Sequence, residues 1–283
     1  MILVYPIHNT GSIQVKGDIN MIFYFTATGN SLYVAKQLDD KRFSIPQELN
    51  KTNRHYKDDR IGIVCPLFEF DIPDIVKKFI RGSEFETDYF YIVITYGCHD
   101  GAVADRVQKN LKYDGKQAQY ITSIKMVDNA LLVFDMKKEK EIEHTKKIEE
   151  KLAIIKDDII NKKHMIQEAL KEEAEFSEGY FAQKAVNGPM YLFPLYDVKE
   201  NCVGCGTCAK VCPMGCIHLE NGKPIHDYTN CANCMACVQH CPTKAIQFAS
   251  AMKEVNSEER YRHSKISLAE IIQANNQNLG YRP

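Results

Sequence analysis

The sequence has no tryptophan, no long uninterrupted apolar run and almost no net charge. Its 36 Lys and Arg residues nearly balance its 37 Asp and Glu residues, so no polyanionic partner is indicated and nucleic acid is not an expected ligand. No apolar stretch approaches the length needed to cross a bilayer, so no membrane span is predicted. The first residues lack the basic region and long apolar core of a secretory signal peptide. A cytoplasmic location is therefore expected.

Cysteine, in contrast, is abundant, and most of the 11 cysteines fall in two copies of one spacing pattern. Residues 202–213 read C-V-G-C-G-T-C-A-K-V-C-P, and residues 231–242 read C-A-N-C-M-A-C-V-Q-H-C-P. Both fit C-x₂-C-x₂-C-x₃-C-P, which supplies three thiolates from one tight turn and a fourth nearby, as a cubane of four irons requires. The pattern predicts two 4Fe-4S clusters, which need a reducing compartment and suit an anaerobe.

The spacing also predicts which cysteines share a cluster. In such repeats the fourth cysteine of each copy ligates the other cluster. One cluster is therefore assigned to Cys202, Cys205, Cys208 and Cys241, and the other to Cys231, Cys234, Cys237 and Cys212. Structural zinc is the alternative, but zinc sites usually use two C-x-x-C pairs that lie farther apart. A third cysteine at the same tight spacing and a proline after each fourth cysteine argue against zinc.

From Met21 to the cysteine motifs, short apolar runs alternate with helical periodicity. This alternation is typical of a parallel sheet with helices on both faces. Within the charge-rich run 137–175, apolar residues recur at helical spacing from Ile148 to Ile159, so a long amphipathic helix that closes the domain is expected. Five strands with intervening helices match a small doubly wound α/β domain. The strands are predicted at 21–25, 42–45, 60–65, 89–95 and 118–124, and the other helices at 32–38, 72–80 and 102–111.

The predicted organisation has five parts. Residues 1–20 are expected to be a translated leader or a short extension, with Met1 and Met21 both open as the start of translation. The sheet domain follows at 21–175 and a linker at 176–198. A small α+β domain of the bacterial two-cluster ferredoxin type is expected at 199–250, with strands at 217–219 and 246–248. A C-terminal tail at 251–283 has a candidate helix over 257–276.

A second motif lies between the first strand and the first helix, where doubly wound folds bind phosphate. The loop reads T-A-T-G-N-S and consists of Thr26, Ala27, Thr28, Gly29, Asn30 and Ser31. Its hydroxyl and amide donors, its glycine and the helix N-terminus could hold a phosphate without a basic residue. The loop is neither a P-loop nor a G-x-G-x-x-G dinucleotide loop. The alternative is a threonine-rich helix N-cap.

A strand followed by T-x-T-G-N-S resembles the FMN-phosphate loop of flavodoxins, and the resemblance covers about residues 21–170. It implies FMN as a cofactor, held also by the loops after the third and fourth strands. Flavodoxins often stack Trp and Tyr on the flavin ring, and without Trp either Phe68 or Tyr96 is expected there. By this resemblance Pro66, Leu67 and Phe68 flank one side of the ring, and Thr95, Tyr96, Gly97 and Cys98 meet its edge or other face.

The whole chain from Met21 resembles the flavodoxin–ferredoxin fusion proteins of anaerobic bacteria and archaea, including the segments 123–129 and 259–268. The resemblance implies an iron–sulfur flavoprotein that passes electrons between its clusters and FMN and exchanges them with a protein partner, a ferredoxin or an oxidoreductase. Two alternatives stay open, namely FMN-dependent reduction of a small oxidant such as a quinone or nitro compound, and a redox-sensing interaction module. No catalytic acid, base or nucleophile is expected, because the cofactors carry the chemistry.

Five further residues lie near these motifs, and four of them have two interpretations each. Cys98 could have a redox role, but a small buried cysteine is the favoured reading. Cys216 is expected to be a weak S–H donor beside a cluster, with a substitute ligand as the alternative. Cys65 is expected in the core. His99 and Asp100 could relay protons, but a solvated loop pair is favoured.

Overall fold

The computed structural model describes residues 20–188, 195–249 and 254–276. Twelve strands and ten helices lie in these ranges, with short 3₁₀ turns at Glu143–Lys146 and Tyr228–Asn230. Strands β1 to β12 span Asn20–Tyr24, Arg42–Ser44, His55–Lys57, Arg60–Pro66, Glu84–Glu86, Tyr89–Tyr96, Tyr120–Lys125, Met165–Ile166, Tyr196–Val198, Ile217–Glu220, Lys223–His226 and Ile246–Phe248. Helices α1 to α10 span Asn30–Leu38, Ile45–Glu48, Asp74–Arg81, Val103–Tyr113, Met136–Glu141, Ile148–Ile160, Lys171–Asn187, Thr207–Lys210, Ala236–Gln239 and Leu268–Asn275.

The larger part of the molecule is a parallel sheet in the order β2-β1-β4-β6-β7-β8. Its first five strands follow the 2-1-3-4-5 order of flavodoxin-like sheets, which confirms the predicted fold class. The sixth strand, β8, adds an edge that the sequence did not predict, because two residues are too few to form a recognisable pattern. Strands β3 and β5 form a separate parallel pair.

Apolar cores lie on both faces of this sheet, because the central strands are apolar at successive positions. Along β1, Ile22 belongs to one core and Phe23 to the other. The expected amphipathic helix is present as α6, whose Leu152 and Ile155 enter the Ile22 core. The charged run 137–175 is not one helix, however. The chain turns at Lys147, whose φ of 50° lies in the left-handed region, and α5, α6, β8 and the start of α7 share the run.

Helix α7 occupies much of the segment expected to be a linker. It packs on the loops that follow β4 and β6, where Phe70 meets the ring of Tyr180 with centroids 5.1 Å apart. The Ser177 hydroxyl, which is fully buried, accepts from the Arg106 guanidinium at 3.2 Å. The segment has no clear apolar stripe of its own, so this helix depends on tertiary packing that local periodicity does not show. Residues 189–194 of the expected linker lie outside the described residues.

The smaller part is an α+β unit that carries the two cysteine motifs. Strands β10 and β11 form an antiparallel hairpin, and β9 pairs antiparallel with β12. The strands expected after each motif are present as β10 and β12. The candidate tail helix is present only as α10, which begins with a capping box formed by Ser267 and Glu270. Residues 1–19 of the expected leader lie outside the described residues.

The cluster-motif unit packs against the edge of the large sheet where the parallel strands end. Asn275 in α10 joins the two parts, since its side-chain amide donates to the carbonyls of Thr26 and Val211, each at 3.0 Å. Val211 and Ala236 share an apolar core with Leu32 of α1. Within 20–188, 195–249 and 254–276, no helix is both long and apolar enough to span a membrane.

Candidate iron–sulfur centres and phosphate loop

Each cysteine motif makes a tight turn before a short helix, and left-handed residues form that turn. In the first motif these are Gly204 and Gly206, with φ of 66° and 71°. In the second they are Asn233 and Met235, with φ of 52° and 61°. Gly204 has a further reason to be glycine, because a Cβ there would lie 2.7 Å from the Gly222 carbonyl oxygen in the β10–β11 turn. The turns bring the first three thiols of each motif to one side.

The four cysteines assigned to one cluster line a single cavity beside α8. This cavity has about 330 Å³ of space not filled by atoms, part of it open to solvent. Leu219, Pro224 and Ile246 line the rest of its wall with apolar surface. The cysteines are Cys202, Cys205, Cys208 and Cys241.

The other four cysteines line a second cavity beside α9, with about 260 Å³ of unfilled space. Three come from the second motif and one from the first, as the crossing rule requires. Cys216 and His226 also line this cavity. The cysteines are Cys212, Cys231, Cys234 and Cys237. Four thiols in an apolar enclosure are what a cubane needs, so the residues fit a 4Fe-4S cluster in each cavity.

Cys216 lines the second cavity beside the four cysteines that are predicted to be cluster ligands. Its Sγ lies 3.4 Å from the Sγ of Cys212 and 3.5 Å from Nε2 of His226. Hydrogen bonds to Cys216 lower the pKa of both Cys212 and Cys231, and the same bonds raise the pKa of Cys216. Cys216 therefore holds its proton more tightly than Cys212 and Cys231 do, and its role as an S–H donor beside a cluster stays a prediction.

The two cavities differ in their surroundings. Around the first, Cys205 is exposed, and Val203 and Leu219 present apolar side chains to solvent, with Val203 68% exposed. Around the second, Cys234 packs against both cores of the large sheet. One cavity therefore faces outward and the other faces the joint between the two parts.

The T-A-T-G-N-S loop lies where the sequence predicts it, at the end of β1 and the start of α1. Gly29 has a φ of 105°, which favours glycine. The Gly29 amide donates to the Thr26 hydroxyl at 3.1 Å, and the Ser31 hydroxyl shares a hydrogen bond with Thr95 at 2.9 Å. Thr26, Thr28, Asn30 and Ser31 are all buried.

Protein atoms cover this loop. The Thr28 carbonyl accepts from the His263 amide at 2.9 Å, and the Thr28 hydroxyl accepts from the Asn129 side chain at 2.6 Å. Asn30 donates to the Val127 carbonyl and accepts from the Tyr261 hydroxyl. As arranged here, the loop does not fit the phosphate of FMN, because its side chains and the open face of Gly29 already contact protein.

The other predicted flavin-binding residues surround the same edge of the sheet. The Leu67 amide donates to the Thr95 carbonyl at 2.8 Å, which joins the two loops. Phe68 meets Phe25 edge to face at 6.1 Å, so this ring leans into the core. Gly97 lies against Asp128, since a Cβ there would be 2.1 Å from the carboxylate. Pro66, Leu67, Phe68 and Tyr96 are half-buried, and which aromatic would meet a flavin stays a prediction.

Of the three expectations for single residues near these loops, one is confirmed and two are wrong. Cys65 is fully buried in the core, as expected. The expectation of a buried Cys98 is wrong, because its thiol is exposed at the loop surface. The expectation that His99 and Asp100 form a solvated loop pair is also wrong. Asp100 is buried and accepts from Ser123 at 2.7 Å, and His99 pairs with Glu173 of α7 at 2.9 Å.

Sequence reasoning missed the residues that cover the phosphate loop. They are single polar or aromatic side chains without a spacing pattern, although three of them, Asn129, Tyr261 and His263, lie in the segments 123–129 and 259–268 that carry the family resemblance. They are Asn129, Gln239, Tyr261, His263 and Asn275.

Residues 201–246 match the 4Fe-4S dicluster domain family. This range contains both cysteine motifs, so the C-terminal part holds an iron–sulfur domain of the electron-transport class. Among curated proteins, no sequence matches this chain.

Solved structures that are similar to parts of the chain include two bacterial proteins. A candidate flavoprotein from Bacteroides uniformis ATCC 8492 is 17% identical with a TM-score of 0.31, over 44% of this chain and 97% of that one. The Trp repressor binding protein from Bacillus subtilis is 9% identical with a TM-score of 0.28, over 38% of this chain and 83% of that one.

Proposed function

We propose that this protein is a two-cluster electron carrier that exchanges electrons with a protein partner. The observation that carries the proposal is the composition of the two cavities. Each is lined by four cysteines, three from one motif and one from the other. When bound, a 4Fe-4S cluster accepts or releases one electron.

The chain's own residues supply the rest of the site. The thiols would hold each cluster, and Leu219, Pro224 and Ile246 line the first cavity with apolar surface. Cys216 and His226 offer hydrogen bonds around the second. Because exposed thiols and clusters need reducing conditions, we also propose a cytoplasmic location in an organism that lives without oxygen.

The partner, a ferredoxin or an oxidoreductase, is proposed to dock over the first cavity. Val203 and Leu219, which line this cavity, form an exposed apolar rim beside the exposed Cys205. The second cavity lies against the large sheet, where a protein partner has less access. Electrons from a partner are therefore expected to enter or leave on the Cys202 side.

The first experiment is a cofactor assay on protein purified without oxygen. About eight irons and about eight sulfides per chain are expected. Stoichiometric zinc with little iron would overturn the proposal.

The second experiment tests the docking face with Val203→Glu. Electron exchange with a reduced ferredoxin should slow about tenfold or more, because a charge then faces the apolar rim. Reduction by dithionite, a small molecule, should be unchanged. Ile160→Glu is the matched control. Ile160 is 51% exposed at the opposite edge of the sheet, where its carbonyl accepts from Arg60 at the start of β4. Equal slowing in both variants would contradict docking over the first cavity.

An FMN-containing form is the second candidate. It is favoured by the loop sequence and by the left-handed Gly29 at the start of α1. It would require the residues that cover Gly29 to move. Flavin in stoichiometric amount in the same cofactor assay would support this candidate.

A further inference from the structure

The C-terminal segment, residues 254–276, lies on the loop that resembles a phosphate site. It forms hydrogen bonds along the loop. The His263 amide donates to the Thr28 carbonyl at 2.9 Å, and the Tyr261 hydroxyl donates to Oδ1 of Asn30 at 2.7 Å. All four of these residues are buried. Buried polar groups are costly to separate from their partners, so these bonds hold the segment in place.

Packing on Gly29 is equally close. A Cβ at this position would lie 3.1 Å from the Cβ atoms of both His263 and Ile266. The His263 ring stacks on Tyr33 of α1, with centroids 4.1 Å apart and planes tilted by 18°. Ile266 belongs to the same apolar core as Leu32. Because Gly29 has no side chain, the loop has room for a phosphate to approach. In this structure the C-terminal segment fills that room.

The segment also binds the iron–sulfur domain. Asn275 bridges the Thr26 carbonyl and that of Val211, which precedes Cys212. Gln239, two residues after Cys237, accepts from the Tyr261 amide at 2.7 Å and donates to the Asn129 carbonyl at 2.9 Å. The three parts of the chain therefore meet at this loop.

The charges nearby do not suit a phosphate. The loop has no basic residue, and the Lys265 ammonium is engaged by Glu149 and the Tyr33 hydroxyl. Burial lowers the pKa of His263 to about 4, and its Nδ1 accepts from the Lys265 amide at 3.2 Å. The ring is therefore neutral. A buried phosphate dianion without a counter-charge would be strongly disfavoured unless its hydrogen bonds compensated.

We infer that the T-A-T-G-N-S loop is an internal docking site that fastens the iron–sulfur domain to the flavodoxin-like sheet through the C-terminal segment. While that segment is seated, the loop does not hold the phosphate of FMN. This inference does not depend on the proposed electron transfer, because it concerns only the joint between the two parts.

The test uses the full chain with its clusters, the variant Tyr261→Phe and the control Tyr113→Phe. Tyr113 is exposed at the end of α4. Hydrogen exchange is followed in peptides that cover residues 26–33 and 259–266. Loss of one buried hydrogen bond should speed exchange in both peptides roughly tenfold in Tyr261→Phe and leave the control unchanged. Asn275→Ala should have the same effect and should also speed exchange around Val211. FMN and inorganic phosphate are titrated into the wild-type protein, and no binding is expected.

Two results would overturn the inference. One is uptake of one FMN by the wild-type protein with the segment still protected from exchange. The other is hydrogen exchange in the loop that is no faster in Tyr261→Phe and Asn275→Ala than in the control variant. Iron is measured on the same samples. Missing iron would contradict the proposed electron carrier. The hydrogen-exchange result would still test the joint between the iron–sulfur domain and the sheet.

Discussion

The thiol of Cys216 lies 3.4 Å from the thiol of Cys212, although only Cys212 belongs to the four-cysteine set of the crossed motif. His226 supports this contact from the other side, with its ring stacked against Tyr228 at 4.2 Å. Hydrogen bonds to cluster sulfurs raise reduction potentials. We therefore expect Cys216 to raise the reduction potential of a cluster bound in the second cavity.

Cys216→Ala should lower the potential of the cluster in the second cavity. One hydrogen bond of about 1 kcal/mol corresponds to about 40 mV for a one-electron couple. The potential of the first cluster should not change, and neither should the iron content. Redox titration followed by electron paramagnetic resonance measures both clusters. Loss of iron in Cys216→Ala would show instead that this residue is a ligand.

The crossing of the motifs predicts the effect of Cys212→Ala. The variant should damage the cluster held by Cys231, Cys234 and Cys237, because Cys212 lines that cavity. The cluster closer to it in sequence should survive. Iron analysis and spectroscopy of the single-site variant separate the two, and selective loss of the Cys202-side cluster would contradict the assignment.

Gly29→Ala should destabilise the protein more than the control Gly115→Ala. Both glycines have positive φ, of 105° and 71°, so both variants carry backbone strain of about 1 kcal/mol. At Gly115 no atom lies within 4 Å of the added Cβ, whereas at Gly29 two side chains lie at 3.1 Å. The crowding at Gly29 should lower the free energy of unfolding by about a further 1–2 kcal/mol. Urea unfolding measures the difference, and equal losses would mean that the segment does not press on Gly29.

His263 should make stability depend on pH in a defined window. Its pKa is about 4 in the folded protein, mainly because burial disfavours the charged ring, against about 6.5 when unfolded. Between these values the unfolded chain binds a proton that the folded chain does not, so stability is full above about pH 6.5 and falls toward pH 4.

Between about pH 7.5 and about pH 5, protonation linked to this residue should lower the free energy of unfolding by about 2 kcal/mol. His263→Phe keeps a ring against Tyr33 and should remove that part of the pH dependence. Urea unfolding at both pH values, in wild type and variant, checks this, and the comparison cancels the similar effect of buried His240. An unchanged pH dependence in the variant would rule out the assignment.

Several elements could be predicted because their signal is local. The alternating apolar runs gave the five main strands, and the spacing of Leu152 and Ile155 gave α6. The cysteine motifs predicted two sets of four, and the turns at Gly206 and Met235 bring those thiols together. Helix α7 was missed because its partners, Phe70 and Arg106, lie far away in the chain.

The sequence by itself determined the sheet, the two cysteine sets and the position of the T-A-T-G-N-S loop, because periodicity and spacing are properties of neighbouring residues. Only the tertiary structure decided what the loop contacts. Asn30 and Tyr261 are 231 positions apart, and no spacing rule connects them. Their hydrogen bond depends on how the iron–sulfur domain packs on the sheet, and it is this packing that covers a loop whose sequence resembles a phosphate site.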